Sequence, residues 1–132
     1  IHPRLASGGF EIGRIGGCIL LLKNNALFPW FILIPEVEDI EDPHQLPPGR
    51  YIEVMLAQRQ VCEFVASHFQ PEKLNIGCIG NHVRQMHIHI IGRSPDDPAW
   101  PGTVWAFDGR EAYTDEESEK VMEAACVFLG LT

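Results

Sequence analysis

The chain has 132 residues, 45% of them hydrophobic and 21% charged, which is the size and balance of one globular domain spanning 1–132. Ten basic residues against eighteen acidic ones leave a formal charge of −8. That balance argues against nucleic acid as a partner gripped by bulk charge, but not against a small anionic ligand held by local groups. The longest purely apolar run, residues 124–129, is far too short to cross a bilayer, so no membrane partner is expected.

The four cysteines, Cys18, Cys62, Cys78 and Cys126, form no C-x-x-C pair, and three of them sit in apolar stretches. They read as reduced thiols packed as small hydrophobes, which points to a cytoplasmic protein. The sequence opens without a basic segment followed by an apolar core, so no leader is expected in it, although a start at Ile1 leaves room for residues before it.

In chain order, the first dozen residues read as an irregular lead-in, with Pro3, Gly8 and Gly9 and with Gly13 just beyond. Residues 16–23 (GGCILLLK) and 27–35 (LFPWFILIP) are short apolar runs joined by a polar connection at Asn24–Asn25, the pattern of a hairpin of buried strands. The stretch 36–48 carries five acids and no Lys or Arg and reads as a solvated loop. A helix is predicted from Arg50 to Phe69, its apolar stripe made of Tyr51, Met55, Cys62, Val65 and Phe69 beside Val54 and Val61, and Pro71 ends it. Residues 73–80 and 84–93 read as two strands joined by a turn at 80–82, and 94–105 is too irregular for a regular element. A last helix starts at Thr114, where Thr114 and Glu117 make a capping-box pattern, and Gly130 stops it. Hairpins without alternating β-α-β units imply an α+β fold on an antiparallel sheet of about five strands, with a long central and a C-terminal helix.

The chemistry is concentrated in Gln85-Met86-His87-Ile88-His89-Ile90-Ile91. Extended geometry puts Gln85, His87 and His89 in a row on one face, roughly 6.5–7 Å apart, with an apolar face opposite. Such a row is costly to bury without partners, so it is expected to border a polar pocket. Two half-exposed histidines on a solvated sheet face would give the same pattern. A metal site built from His87, His89, His82 and Cys78 is the weaker reading, because the strand holds no acid and Cys78 reads as core. No metal and no cofactor are expected.

The string as a whole resembles the histidine triad (HIT) superfamily, whose motif is His-φ-His-φ-His-φ-φ with φ apolar. Here Gln85 stands in the first histidine's place, as in a bacterial HIT-like branch. HPRLA at 2–6, LKNN at 22–25 with FPWFILIP at 28–35, KLNIGCIGN at 73–81 and DPAWPGTVW at 97–105 resemble that branch too. The resemblance implies a nucleotide hydrolase or transferase acting at the α-phosphate of a nucleoside phosphoramidate or dinucleoside polyphosphate. It implies His87 as nucleophile through a nucleotidyl-histidine, His89 as donor to a phosphate oxygen, and Gln85 in support. By the same resemblance Asn75 and Asn81 supply amide donors to the phosphate and Asn24 meets the ribose, a purine nucleotide is the small-molecule partner, and the protein is a homodimer. Neutral donors of this kind would hold an anion without a basic patch. Gln85 cannot pass a proton as a histidine can, Trp30 falls near where better-studied members keep another histidine, and His82 where they often place a hydroxyl. A nucleotide-binding module with weak or no catalysis is therefore the second reading. Trp100, Trp105 and Phe107, with Pro98 and Pro101, read as a lid, a cap on the sheet edge or part of an interface.

Overall fold

The computed structural model describes residues 1–131. Their regular elements are α1 (Pro3–Ser7), β1 (Gly9–Ile15), β2 (Cys18–Lys23), β3 (Trp30–Pro35), α2 (Pro48–Phe69), β4 (Lys73–Gly77), β5 (Ile88–Arg93) and α3 (Asp115–Leu129), with 3-10 turns at Pro43–Gln45 and Val104–Ala106. The five strands form one sheet in the order β1-β2-β3-β5-β4, and every neighbouring pair is antiparallel. The α+β architecture and the strand count agree with the reading of the sequence.

The first fifteen residues do not. The expected irregular lead-in is α1 followed by an edge strand. Pro3 sits in the first turn of α1, and His2 caps it by accepting the Arg4 N–H on Nδ1 at 3.1 Å. In β1 a bulge between Glu11 and Gly13 shifts the register against β2. Ile12 and Ile15 are consequently both buried, three residues apart, and the alternation that announces a strand is erased. Gly16 and Gly17, expected to open a strand, instead form the two-residue turn between Ile15 and Cys18, with φ of +53° and +70°.

Period-two alternation splits the central strands between two cores. Leu20, Leu22, Phe31, Leu33, Ile88 and Ile90 face α2 and α3. On α2 the buried positions are Val54, Ala57, Val61, Phe64 and Val65. That stripe lies to one side of the expected one, so Met55 and Cys62 fall on its border and Tyr51 is 41% exposed. The other face carries Ile19, Leu21, Trp30, Ile32, Ile34 and Ile91, covered by Leu5 of α1, Phe28 and Val104. The face that bears His89 is thus a second apolar core and not a solvated surface.

The segment after β5 is latched onto this second face by Arg93. Its guanidinium pairs with both oxygens of Asp97, at 2.8 and 3.0 Å, and also donates to Asn75 Oδ1 at 2.8 Å. The two charged side chains are only 2% and 8% exposed. Burial works against the Asp97 carboxylate, but hydrogen bonds from Arg93 and from the Ser94 and Ala99 N–H groups, with the guanidinium charge, outweigh it and bring its pKa down to about 2. At the far end α3 behaves as expected: Thr114 Oγ1 accepts the Glu117 N–H at 3.2 Å, and Gly130 ends the helix at φ +70°.

Asp97→Asn strands a buried guanidinium, a loss of about 3–5 kcal/mol for a broken buried pair. Because the folded-state pKa is depressed, this stabilisation is complete above the usual carboxylate range and is lost as pH falls through about 2. Urea melts should separate variant and wild type most near neutrality and bring them together towards pH 2. A gap that stays constant with pH would contradict the latch.

Candidate functional site

The site is built where β5 begins. The sequence predicts a strand from Arg84, but β5 starts at Ile88, because β4 pairs no further than Gly77 with His89 and β3 no further than Leu33 with Ile88. Residues 84–87 therefore continue past the ladder, held instead by the Met86 N–H on the Ile40 carbonyl at 2.9 Å. Met86 keeps the inward alternation and is buried with Ile88 and Ile90.

Leaving the ladder frees the Gln85 carbonyl, and His87 takes it: the His87 Nδ1 lies 2.7 Å from Gln85 O. A carbonyl only accepts, so Nδ1 carries the proton and Nε2 of His87 presents its lone pair. His87 is buried at 5% exposure. Burial lowers its pKa first; the Gln85 carbonyl opposes that, and the charges of Lys23 and His2 lower it further.

His89 is set the opposite way. The indole N–H of Trp30 donates to its Nδ1 at 2.9 Å, so the proton sits on Nε2 and His89 is a donor. Burial above all, then the charges of His87 and Lys23, take its pKa down to about 3. The rings of His87 and His89 lie 4.9 Å apart, centre to centre. One imidazole offers a lone pair and its neighbour an N–H, both uncharged at neutral pH.

Trp105 forms the wall. Its ring meets His89 edge-on at 5.6 Å and Trp30 at 6.4 Å. It packs over Gly77, opposite His89, where a Cβ would come within 2.9 Å of the indole. The buried Trp105 N–H has no hydrogen-bond partner among the described residues. Phe107 packs on Phe28 and Trp100 lies over Arg93, so the aromatic segment flanks the histidines as fixed packing.

The structure brings His87 and His89 together and ties Gln85 to them through its backbone. The Gln85 side chain faces elsewhere in function: its Oε1 accepts the His2 N–H at 2.6 Å. Asn75 lies one strand over, opposite Ile91, with its oxygen committed to Arg93. Asn81 and His82 are exposed in the bend after β4. Asn24 accepts the Tyr113 N–H at 2.9 Å and pins the segment before α3. Neither Asn24 nor Asn81 hydrogen-bonds to an imidazole among the described residues, and no group of three or more His, Cys, Asp or Glu there is placed to hold a metal ion. An open groove of about 590 Å³ lies between the acidic loop and Arg84; it reaches Gln85 but stops short of both histidines.

Three contributors are absent from the sequence reading. Lys23 shares the face of Ile19 and Leu21, and its Nζ lies 5.1 Å from the centre of the Trp30 ring. Arg93 lies two residues beyond Ile91 and latches the wall. His2 is joined to Gln85 from the chain's beginning. Period two, carried one step further along β2 and β5, would have found Lys23 and Arg93. Nothing local could have found His2, whose contact spans 83 residues.

A family model described as the HIT domain matches residues 10–96. No curated protein matches the chain. Among solved structures, a histidine triad (HIT) protein from Sinorhizobium meliloti 1021 is 35% identical, covers 98% of this chain and 96% of its own, and superposes with a TM-score of 0.94. A histidine triad protein from Marinobacter aquaeolei VT8 is 33% identical over 98% of this chain and 95% of its own, with a TM-score of 0.94. A diadenosine triphosphate hydrolase from Plasmodium falciparum, solved with Cyclomarin A, shares the fold at 18% identity and a TM-score of 0.57, over 95% of this chain and 84% of its own.

The two imidazoles should be distinguishable in solution. Long-range ¹H–¹⁵N spectra are expected to show His87 protonated on Nδ1 and His89 on Nε2, with His89 staying neutral until the pH approaches 3. Trp30→Phe removes the donor to His89 and should mix its tautomers while leaving His87 unchanged. Matching tautomers in the wild type would refute the arrangement.

Proposed function

The chain belongs to the histidine triad (HIT) family, and on that premise we propose that it is a nucleotide hydrolase or nucleotidyl transferase working at the α-phosphate of a nucleoside phosphoramidate or dinucleoside polyphosphate. The observation that carries this reading is the opposed pair of tautomers: a buried lone pair on His87 beside a buried N–H on His89. The activity for which the Plasmodium falciparum protein is named, diadenosine triphosphate hydrolysis, agrees with the reaction class.

In this mechanism His87 Nε2 attacks the α-phosphorus, an N–P bond forms, and the bond to the leaving nitrogen or oxygen breaks with its electron pair. The Gln85 carbonyl holds the Nδ1 proton as positive charge develops on the ring. His89 donates to a non-bridging oxygen. Water then attacks phosphorus and gives up a proton to solvent, the N–P bond breaks with its electron pair returning to His87 Nε2, and nucleoside monophosphate leaves. The leaving group takes its proton from solvent, since a carboxamide has none to transfer and the Gln85 oxygen is already engaged by His2. Turnover is accordingly slow for basic leaving groups, and a binding module with little catalysis is the second reading.

Asn75 fits the phosphate role through its amide N–H groups, its oxygen being held by Arg93. Asn81 is the donor assigned to the bend, and Asn24 is assigned to the ribose through the loop it shares with Tyr113. The purine nucleotide as partner, the cytoplasmic setting and the Gln-bearing branch belong to the same proposal. No helix among the described residues is long and apolar enough to cross a membrane. The homodimer is supported by Tyr51, Ile52 and Leu56, large side chains of α2 that are 41%, 60% and 57% exposed.

Single-turnover hydrolysis of adenosine 5′-phosphoramidate tests the reading. Wild type should release AMP, and His87→Ala should release none. Since the His87 pKa is lowered, its neutral form dominates above 6.5, and the rate should stay level there and fall only at lower pH. Micromolar AMP binding without release would favour the binding module.

A further inference from the structure

Lys23 ends β2 on the face of the histidines, beside Trp30 in the neighbouring strand. Its Nζ stands over the Trp30 ring, 5.1 Å from the centroid, and that same indole donates to His89. Lys23 is half-buried as a residue, and its ammonium has no carboxylate within ion-pair distance among the described residues, in a protein with eighteen acids against ten bases. A cation drawn against apolar surface normally has a counter-ion; here the neighbour is an aromatic face. Among the described residues, the far more deeply buried Arg93 is by contrast fully matched by Asp97. Lys23 is therefore an unmatched positive charge held at the edge of the site.

We infer that Lys23 is the counter-ion of a nucleotide's phosphate, selecting nucleotides over nucleosides at the site of His87 and His89. The assignment rests on the nucleotide reading given above and deepens it, since uncharged donors alone were expected there. Burial, followed by the charge of Arg110, lowers the Lys23 pKa, which is the cost an arriving anion relieves. The same ammonium lowers the pKa of His87 and of His89, so its field reaches both rings. The packing against Trp30 holds the stem while the charged head stays available, the arrangement of a long side chain that covers apolar surface with its methylenes.

The test compares AMP with adenosine by calorimetry in wild type, Lys23→Met and Lys23→Arg. A charge-assisted contact predicts that Lys23→Met weakens AMP about 10- to 100-fold. Adenosine affinity should be unchanged, and Lys23→Arg should recover most of the AMP loss. In the wild type, the ¹⁵N signal of the Lys23 ammonium should shift on adding AMP and stay still with adenosine, a readout that needs no variant to fold. Equal weakening of AMP and adenosine would make Lys23 a packing residue and overturn the inference, as would AMP affinity indifferent to Lys23→Met. If the wild type binds AMP while the Lys23 signal does not move, the inference alone falls. If it binds no AMP at all, the nucleotide reading falls and the inference with it.

Discussion

The hydrogen bond between His87 Nδ1 and the Gln85 carbonyl depends on where the sheet stops. In a ladder that carbonyl would have a strand partner or point away from the ring, and the imidazole would need another means of fixing its proton. Both neighbours of β5 end their pairing at Ile88 and His89, and the chain before them keeps one bond between backbones, from Met86 to Ile40, beside side-chain bonds of Gln85 and Arg84. The released acceptor lies 2.7 Å from the ring, close enough to set the tautomer at no cost to the sheet. One residue further into the sheet this option is gone, and His89 is set from the side by the Trp30 indole. Two histidines in one motif thus acquire opposite roles, one because it lies just outside the ladder and the other because it lies just inside.

Those tautomers matter only while both rings stay neutral, and neutrality comes from burial. Aromatic packing on this face keeps water from His89 on two sides, with Trp30 at 5.7 Å and Trp105 at 5.6 Å. Trp105 reaches that position because Gly77 has no side chain and because Arg93 ties down the segment leading to it. Arg93 belongs to the same strand as the histidines, so the element that presents the chemistry also anchors its wall.

How much of this was legible in the sequence follows from the range of each interaction. The faces of the central strands and the capping box at Thr114 are local patterns with periods of two or 3.6, and they hold in the structure; of the polar row at 85, 87 and 89 only His87 and His89 come together, the Gln85 side chain turning to His2. The strand at Gly9–Ile15 was lost because its bulge inserts a residue and places Ile12 and Ile15 on one side. The start of β5 was misplaced because alternation continues through Met86 after pairing has ended, and periodicity reports side-chain direction, not ladder bonds. Lys23 was passed over as the polar end of an apolar strand, although its parity matched that of Ile19 and Leu21. The contact of His2 with Gln85 joins distant segments and has no local signature at all.

The carboxamide at position 85 separates two functions that one residue could have combined. The backbone carbonyl orients His87 whatever side chain the residue bears, so glutamine costs that ring nothing in geometry. Its side chain is spent on the His2 N–H and thereby ties α1 against the site, a structural use that an imidazole could also serve with a ring nitrogen as acceptor. Proton transfer to a leaving group is what the substitution gives up, because an amide neither gains nor loses a proton near neutrality. On the proposed reading that loss falls on turnover and not on binding. Lys23 lowers the pKa of both imidazoles, so its positive charge is felt at the histidines in a chain of charge −8. On the same reading, affinity and turnover rest on different residues: Lys23 and the neutral donors would hold the nucleotide, and the missing proton donor at position 85 would slow its turnover.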